Sequence, residues 1–126
     1  MALLVDTTVL IDAERTGRVP DVGNEEVAVS VITVSELLHG SERGATESRL
    51  ARKAFAERIL AVWEAIPVTT AVARVHASLW AELERRGAMV DAHDLWIGAT
   101  ALAHGFGVIT SDQSFARIPG LRVVTP

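Results

Sequence analysis

Asp6, Glu36, Asp94 and Asp112 are acids of the kind that could do chemistry if the chain folded them together. Several carboxylates converging on one point repel one another unless a cation lies between them. The chain has no cysteine and no obvious histidine ligand set. An oxygen-only donor set of this sort suits a hard ion, Mg2+ or Mn2+. Such an ion can lower the pKa of a bound water and stabilise charge on a phosphodiester during in-line attack. Taken singly, each acid also has an ordinary explanation. Asp6 could be a turn residue, Glu36 the acid of a capping box, Asp94 a partner of a helix dipole and Asp112 a loop or N-cap residue.

What sets the four apart is their place in the elements. Leu3-Leu4-Val5 is a short apolar run, as in a strand buried on both faces, and Asp6 follows it directly. Val27 to Ile32 reads as a second such strand, and Thr33-Val34-Ser35-Glu36 has the form of a capping box opening a helix that stops near Gly40. A helix from about Thr46 to Glu64 carries Phe55, Ile59, Val62 and Trp63 at helical spacing; Ile66 to Thr69 is a brief strand or a connector. Val72, Val75, Leu79 and Leu83 mark a further amphipathic helix closed by Gly87. Asp91 to Ala103 is a nearly all-apolar helix with Asp94 in its first turn, and Val108–Thr110 and Leu121–Val124 are the last strands. Strands alternating with helices predict an α/β fold with a parallel sheet covered on both faces. In such a sheet the carboxyl ends of the strands share one edge, where ligands bind. All four acids fall at strand-to-helix junctions or in first helical turns.

The chain has 126 residues, enough for one domain (1–126) with a substantial core, and shows no repeat or linker. The absence of cysteine fits a reducing cytoplasm. The N-terminal run reaches an acid too soon for a signal peptide, and no apolar stretch is long enough to span a membrane. A soluble, cytoplasmic protein is expected. The net charge of −4 would not by itself suggest a nucleic-acid enzyme, but cations gather from Arg43 to Arg58 while acids concentrate from Asp12 to Glu26. The basic stretch reads equally well as a solvated helix face.

The wider wording of the sequence is more specific. Val5-Asp6-Thr7-Thr8-Val9-Leu10-Ile11-Asp12, Thr33-Val34-Ser35-Glu36-Leu37-Leu38-His39-Gly40, Asp94-Leu95-Trp96-Ile97-Gly98-Ala99-Thr100-Ala101 and Val108-Ile109-Thr110-Ser111-Asp112, before Phe115 and Gly120-Leu121, together resemble the PIN-domain family, in its order and spacing. Within it the chain is most similar to VapC-type toxins. The resemblance covers the chain almost end to end. It implies a three-layer α/β/α fold with a mainly parallel sheet, Mg2+- or Mn2+-dependent endoribonuclease activity, a cognate VapB-type antitoxin and a homodimer. Asp6, Glu36 and Asp94 match the family's core acids; Thr7 or Thr8, and Thr110, match hydroxyl positions that arrange acids or waters. Many relatives carry an acid immediately before the residue that is Phe115 here. This chain has Ser114 there, so Asp112 must supply the fourth charge.

Other readings are narrower. Receiver modules and aspartyl-phosphate phosphatases also cluster acids around Mg2+, but both want a strand-end lysine, and the only lysine, Lys53, falls in a surface helix. A scaffold of the same fold that binds RNA or protein without cutting is the remaining alternative. Glu36-x-x-His39 has the spacing of half a di-iron motif without the second half. His93 abuts Asp94 and could tune the site or simply begin a helix. Trp63, Trp80 and Trp96 read as core or interface. An antitoxin is expected to dock across the early helices, near Leu10, Ile11, Leu37 and Leu38, and to bring a basic side chain, most naturally Arg, to the acids.

Overall fold

The computed structural model describes residues 2–18 and 20–126. Strands β1 (Ala2–Val5), β2 (Glu26–Ser30), β3 (Ala65–Ile66), β4 (Gly107–Ile109) and β5 (Val123–Val124) form one sheet in the order β3-β2-β1-β4-β5, with every pairing parallel. Between them run α1 (Thr7–Thr16), α2 (Val31–Ser41), α3 (Thr46–Val62), α4 (Thr70–Arg86) and α5 (Ala92–His104), and a 3-10 turn covers Gln113–Arg117. Alternate residues of a strand point to opposite faces, and the core divides accordingly. Leu4, Ala28 and Val108 pack with Leu79 and Leu83 of α4, with Ile97 of α5 and with Phe115. Leu3, Val5, Val29 and Ile109 pack on the other side with Val9 and Leu10 of α1, Leu37 of α2 and Ala56 of α3. The expected three-layer architecture is therefore present.

One local expectation needs correction, and one gains its bounds. The helix implied after Asp6 runs from Thr7 to Thr16. It buries Val9 and Leu10, turns Asp12, Glu14 and Arg15 outward, and ends on Gly17 in the left-handed region at φ 70°. Helix α2 begins earlier than the capping-box pattern implies. Its N-cap is Ser30, whose hydroxyl accepts from the Ile32 N–H at 3.0 Å. The β-branched run Val31-Ile32-Thr33-Val34 has strand propensity, yet tertiary packing makes it helix. Thr33 is then an interior helical residue, fully buried, and its Oγ1 has no hydrogen-bond partner among the described residues. A buried orphan hydroxyl is a cost that the isosteric valine avoids. Thr33→Val should raise the unfolding free energy by about 1 kcal/mol, read as a higher urea midpoint at unchanged slope; a lower midpoint would mean that the hydroxyl has a partner in solution.

Candidate active site

Strand β1 is central, with β2 on one side and β4 on the other, so chain direction around the sheet reverses beside it. Such a switch point opens a crevice at the carboxyl ends of the strands. Asp6 leaves β1 into this crevice. Its N–H donates to the Ile109 carbonyl at the end of β4, which fixes the residue at the seam between the two strands. It is the N-cap of α1 but makes no side-chain cap bond, so the carboxylate is free for other partners although the residue is only 2% exposed. Thr8 and Thr110 both donate to Asp6 Oδ2, at 2.7 and 2.9 Å. The same hydroxyls also accept: Thr110 from the Asp112 N–H at 2.9 Å, Thr8 from the Ser111 N–H at 3.4 Å. Two hydroxyl relays thus tie the loop after β4 to the acid after β1, and leave Asp6 Oδ1 outside both.

Glu36 lies in the second turn of α2, because the helix starts at Val31. It is neither a capping-box acid nor a first-turn residue, so those ordinary explanations do not account for it. Thr7 donates to Glu36 Oε1 at 2.7 Å. His93 Nδ1 stands 3.6 Å from Glu36 Oε2. Of the two threonines considered, Thr8 serves Asp6 and Thr7 serves Glu36.

Asp94 sits in the first turn of α5, as expected, and Asp91 is the N-cap, its carboxylate accepting from the His93 N–H at 3.0 Å. Burial and then repulsion from Asp6, Asp91, Asp112 and Glu36 push the Asp94 carboxyl up to about 7. Asp112 moves the other way. The N–H of Ser114 donates to its Oδ1 at 2.9 Å and holds its carboxyl below the usual range, aided by hydrogen bonds from the Ser114 hydroxyl and from Asp94, and by Arg117. For Asp94, burial is the larger cause and the nearby carboxylates add to it. Asp91 belongs to this field although only its place at a helix start was legible in the sequence. Arg117 donates to the Met89 carbonyl, linking the segment before α5 to the turn that carries Asp112.

Among the described residues, no three His, Asp or Glu side chains are arranged to enclose an ion by themselves. A magnesium ion keeps several waters and takes only one or two carboxylates from protein, so the acids as placed fit such an ion through oxygen donors and water. His39 is exposed and makes no part of the cluster. The cations from Arg43 to Arg58 lie on α3 and the turn before it. Arg52 is engaged with the carbonyls of Gly40 and Arg43, while Arg49 and Lys53 face solvent.

An α/β/α layer structure with acids gathered at a sheet switch point is an arrangement suited to a hard divalent cation. The chain belongs to the PIN-domain family, whose model matches residues 3–121. It is 33% identical over 123 residues to Ribonuclease VapC4 of Mycobacterium tuberculosis, covering 97% of this chain and 95% of that protein. The crystal structure of VapBC-5 from M. tuberculosis, a member of the VapBC family of toxin–antitoxin systems, superposes with a TM-score of 0.80 at 35% identity, over 98% of this chain and 96% of that one. DNA-bound VapBC from Salmonella typhimurium superposes with a TM-score of 0.89 at 26% identity, over 99% and 98%.

Proposed function

We propose that this protein is a Mg2+- or Mn2+-dependent endoribonuclease, the toxin of a VapBC-type toxin–antitoxin pair, acting in the cytoplasm on RNA. The observation that carries the reading is the gathering of Asp6, Glu36, Asp94 and Asp112 at the sheet switch point, with Thr7, Thr8 and Thr110 hydrogen-bonded to the first two, in a chain whose relatives include proteins named ribonuclease at 33% and 35% identity. Asp6, Glu36, Asp94 and Asp112 would hold the ion through oxygens and waters. When bound, the ion supplies an activated water and offsets charge on the phosphodiester. Thr8 and Thr110 hold Asp6 in one orientation, and Thr7 holds Glu36. Asp94 must release its proton for all four to act as anions together.

Two surfaces support the partner assignments. Ile11, Leu37 and Phe55 line a groove of about 490 Å3 that reaches Glu36 between α1, α2 and α3, suited to an antitoxin segment whose basic residue pairs with the acids. Leu10, grouped with them from sequence, is 1% exposed and belongs to the core. Trp80 and Met89, exposed beside a second groove of about 430 Å3, offer an apolar patch for a second copy in a homodimer. No helix among the described residues is long and apolar enough to cross a membrane.

Purified protein should cut a susceptible RNA with Mg2+ or Mn2+, stop in excess EDTA, and resume when metal is restored. Undiminished cleavage in EDTA would rule out the metal mechanism. RNA binding without cleavage in metal would favour the non-cutting scaffold.

A further inference from the structure

Glu36 is held on one oxygen only by the hydroxyl already described. Its Oε1 accepts from Thr7 at 2.7 Å, whereas Oε2 faces a different element altogether, with the Nδ1 edge of His93 at 3.6 Å. The two contacts come from α1 and from the start of α5, so Glu36 lies between them as α2 passes. His93 is presented there by its backbone. Its N–H donates to Asp91 Oδ1 at 3.0 Å, closing the cap of α5, and the side chain takes no part in that cap. The ring is 61% exposed and the Glu36 side chain 29% exposed, so packing alone does not fix either group. At 3.6 Å the pair lies within ion-pair range and just outside hydrogen-bond distance.

We propose that His93 is a positioning residue for Glu36, holding the second carboxylate oxygen from the first turn of α5 while Thr7 holds the first from α1. The arrangement requires only an N–H on Nδ1, which one neutral tautomer and the imidazolium both supply. A carboxylate gripped on both oxygens by two elements has one orientation; gripped on one, it rotates. Outer partners that orient a metal-binding side chain typically contribute 10–100-fold in affinity. The partly exposed, slightly long contact to His93 places it at the lower end of that range. The proposal rests on the assignment of Glu36 to the site, and the experiment separates the two.

Because the Asp91 cap uses the His93 backbone, side-chain substitution leaves the helix start intact. His93→Ala should weaken Mn2+ binding about tenfold by calorimetry without RNA, and His93→Asn, which restores an N–H donor at nearly the same place, should recover most of it. With RNA, His93→Ala should lower kcat and leave KM within about twofold. Wild-type Mn2+ affinity in His93→Ala would overturn the proposal. Equal losses in the alanine and asparagine variants would overturn it too, since the donor would then be irrelevant. Glu36→Gln is the control for the underlying assignment: if it cleaves like the wild type, the fault lies with Glu36 and not with His93.

Discussion

Asp94→Asn will lose RNA cleavage by at least about a hundredfold, the loss expected when a direct metal ligand goes and not merely an outer partner, while the metal-free protein becomes harder to unfold. The two effects have one cause. Asp94 is the acid that burial and its neighbours disfavour most as an anion, with its carboxyl raised from 3.8 to about 7. Its folded-state pKa lies above its unfolded value, so the folded protein binds the extra proton between about pH 4 and pH 7. Stability from this group is fully present below that window and is lost as pH rises through it. The full shift would correspond to about 4 kcal/mol, and partial solvent exposure reduces the expected loss to about 1–2 kcal/mol. Asparagine removes the charge and with it this loss. Urea unfolding in EDTA should therefore show the wild type weakening between pH 5 and pH 8 relative to Asp94→Asn, with the variant the more stable of the two at pH 8. An inactive variant less stable than the wild type at both pH values would assign Asp94 a structural role instead. Asp112→Asn should cost less activity, because water can take its place around an ion. If Asp112→Ala cuts as well as the wild type, Ser114 marks a real gap in the acid set.

The acids were legible in the sequence because each follows a recognisable strand or opens a recognisable helix. Val5-Asp6 and Thr110-Ser111-Asp112 end buried apolar runs, and Asp94 begins an apolar helix, so a parallel sheet must bring them to one edge. What the sequence left open was local geometry that depends on partners far along the chain. The Val31–Val34 run has strand propensity, and only packing between the sheet and α3 makes it helix, which moved Glu36 from the first turn to the second. The bounds of helix α1 are harder to read, because Thr7-Thr8-Val9-Leu10-Ile11 is as β-branched and apolar as a strand. Its helical face is defined by Leu3 and Val5 of β1 and by Ala56 of α3, which lie elsewhere in the chain. That same helix decides which threonine reaches which acid: neighbours on a strand would point to opposite faces, whereas on the first turn of α1 Thr7 and Thr8 reach different carboxylates. The Asp94 shift was likewise out of reach, since it sums burial and repulsion from groups at positions 6, 36, 91 and 112.

Phe115→Ala is expected to be the most damaging change to the fold that also reaches the site. Phe115 is fully buried in the same core cluster as Leu4, Ile97 of α5, Val108 of β4 and Ile118. It is the only large apolar side chain of the Gln113–Arg117 turn. That turn starts at Asp112, whose carboxylate caps the Ser114 N–H, and the Phe115 N–H reaches the Asp112 carbonyl at 3.4 Å. The backbone of Asp112 in turn donates to Thr110, which donates to Asp6. One aromatic ring therefore anchors the loop through which the fourth acid meets the first. Truncating a buried phenylalanine to alanine costs about 3–5 kcal/mol in lost burial and residual cavity. For a domain of this size the thermal midpoint should fall by on the order of 10–20 °C. Phe115→Leu keeps most of the volume and should lose much less. Under conditions where the alanine variant is still folded, its Mn2+ affinity should drop as well, since Asp112 is no longer held against Thr110. A stability loss below about 1 kcal/mol would show that the ring does not anchor the turn, leaving the contact of Ile118 with Gly98 of α5 to hold it.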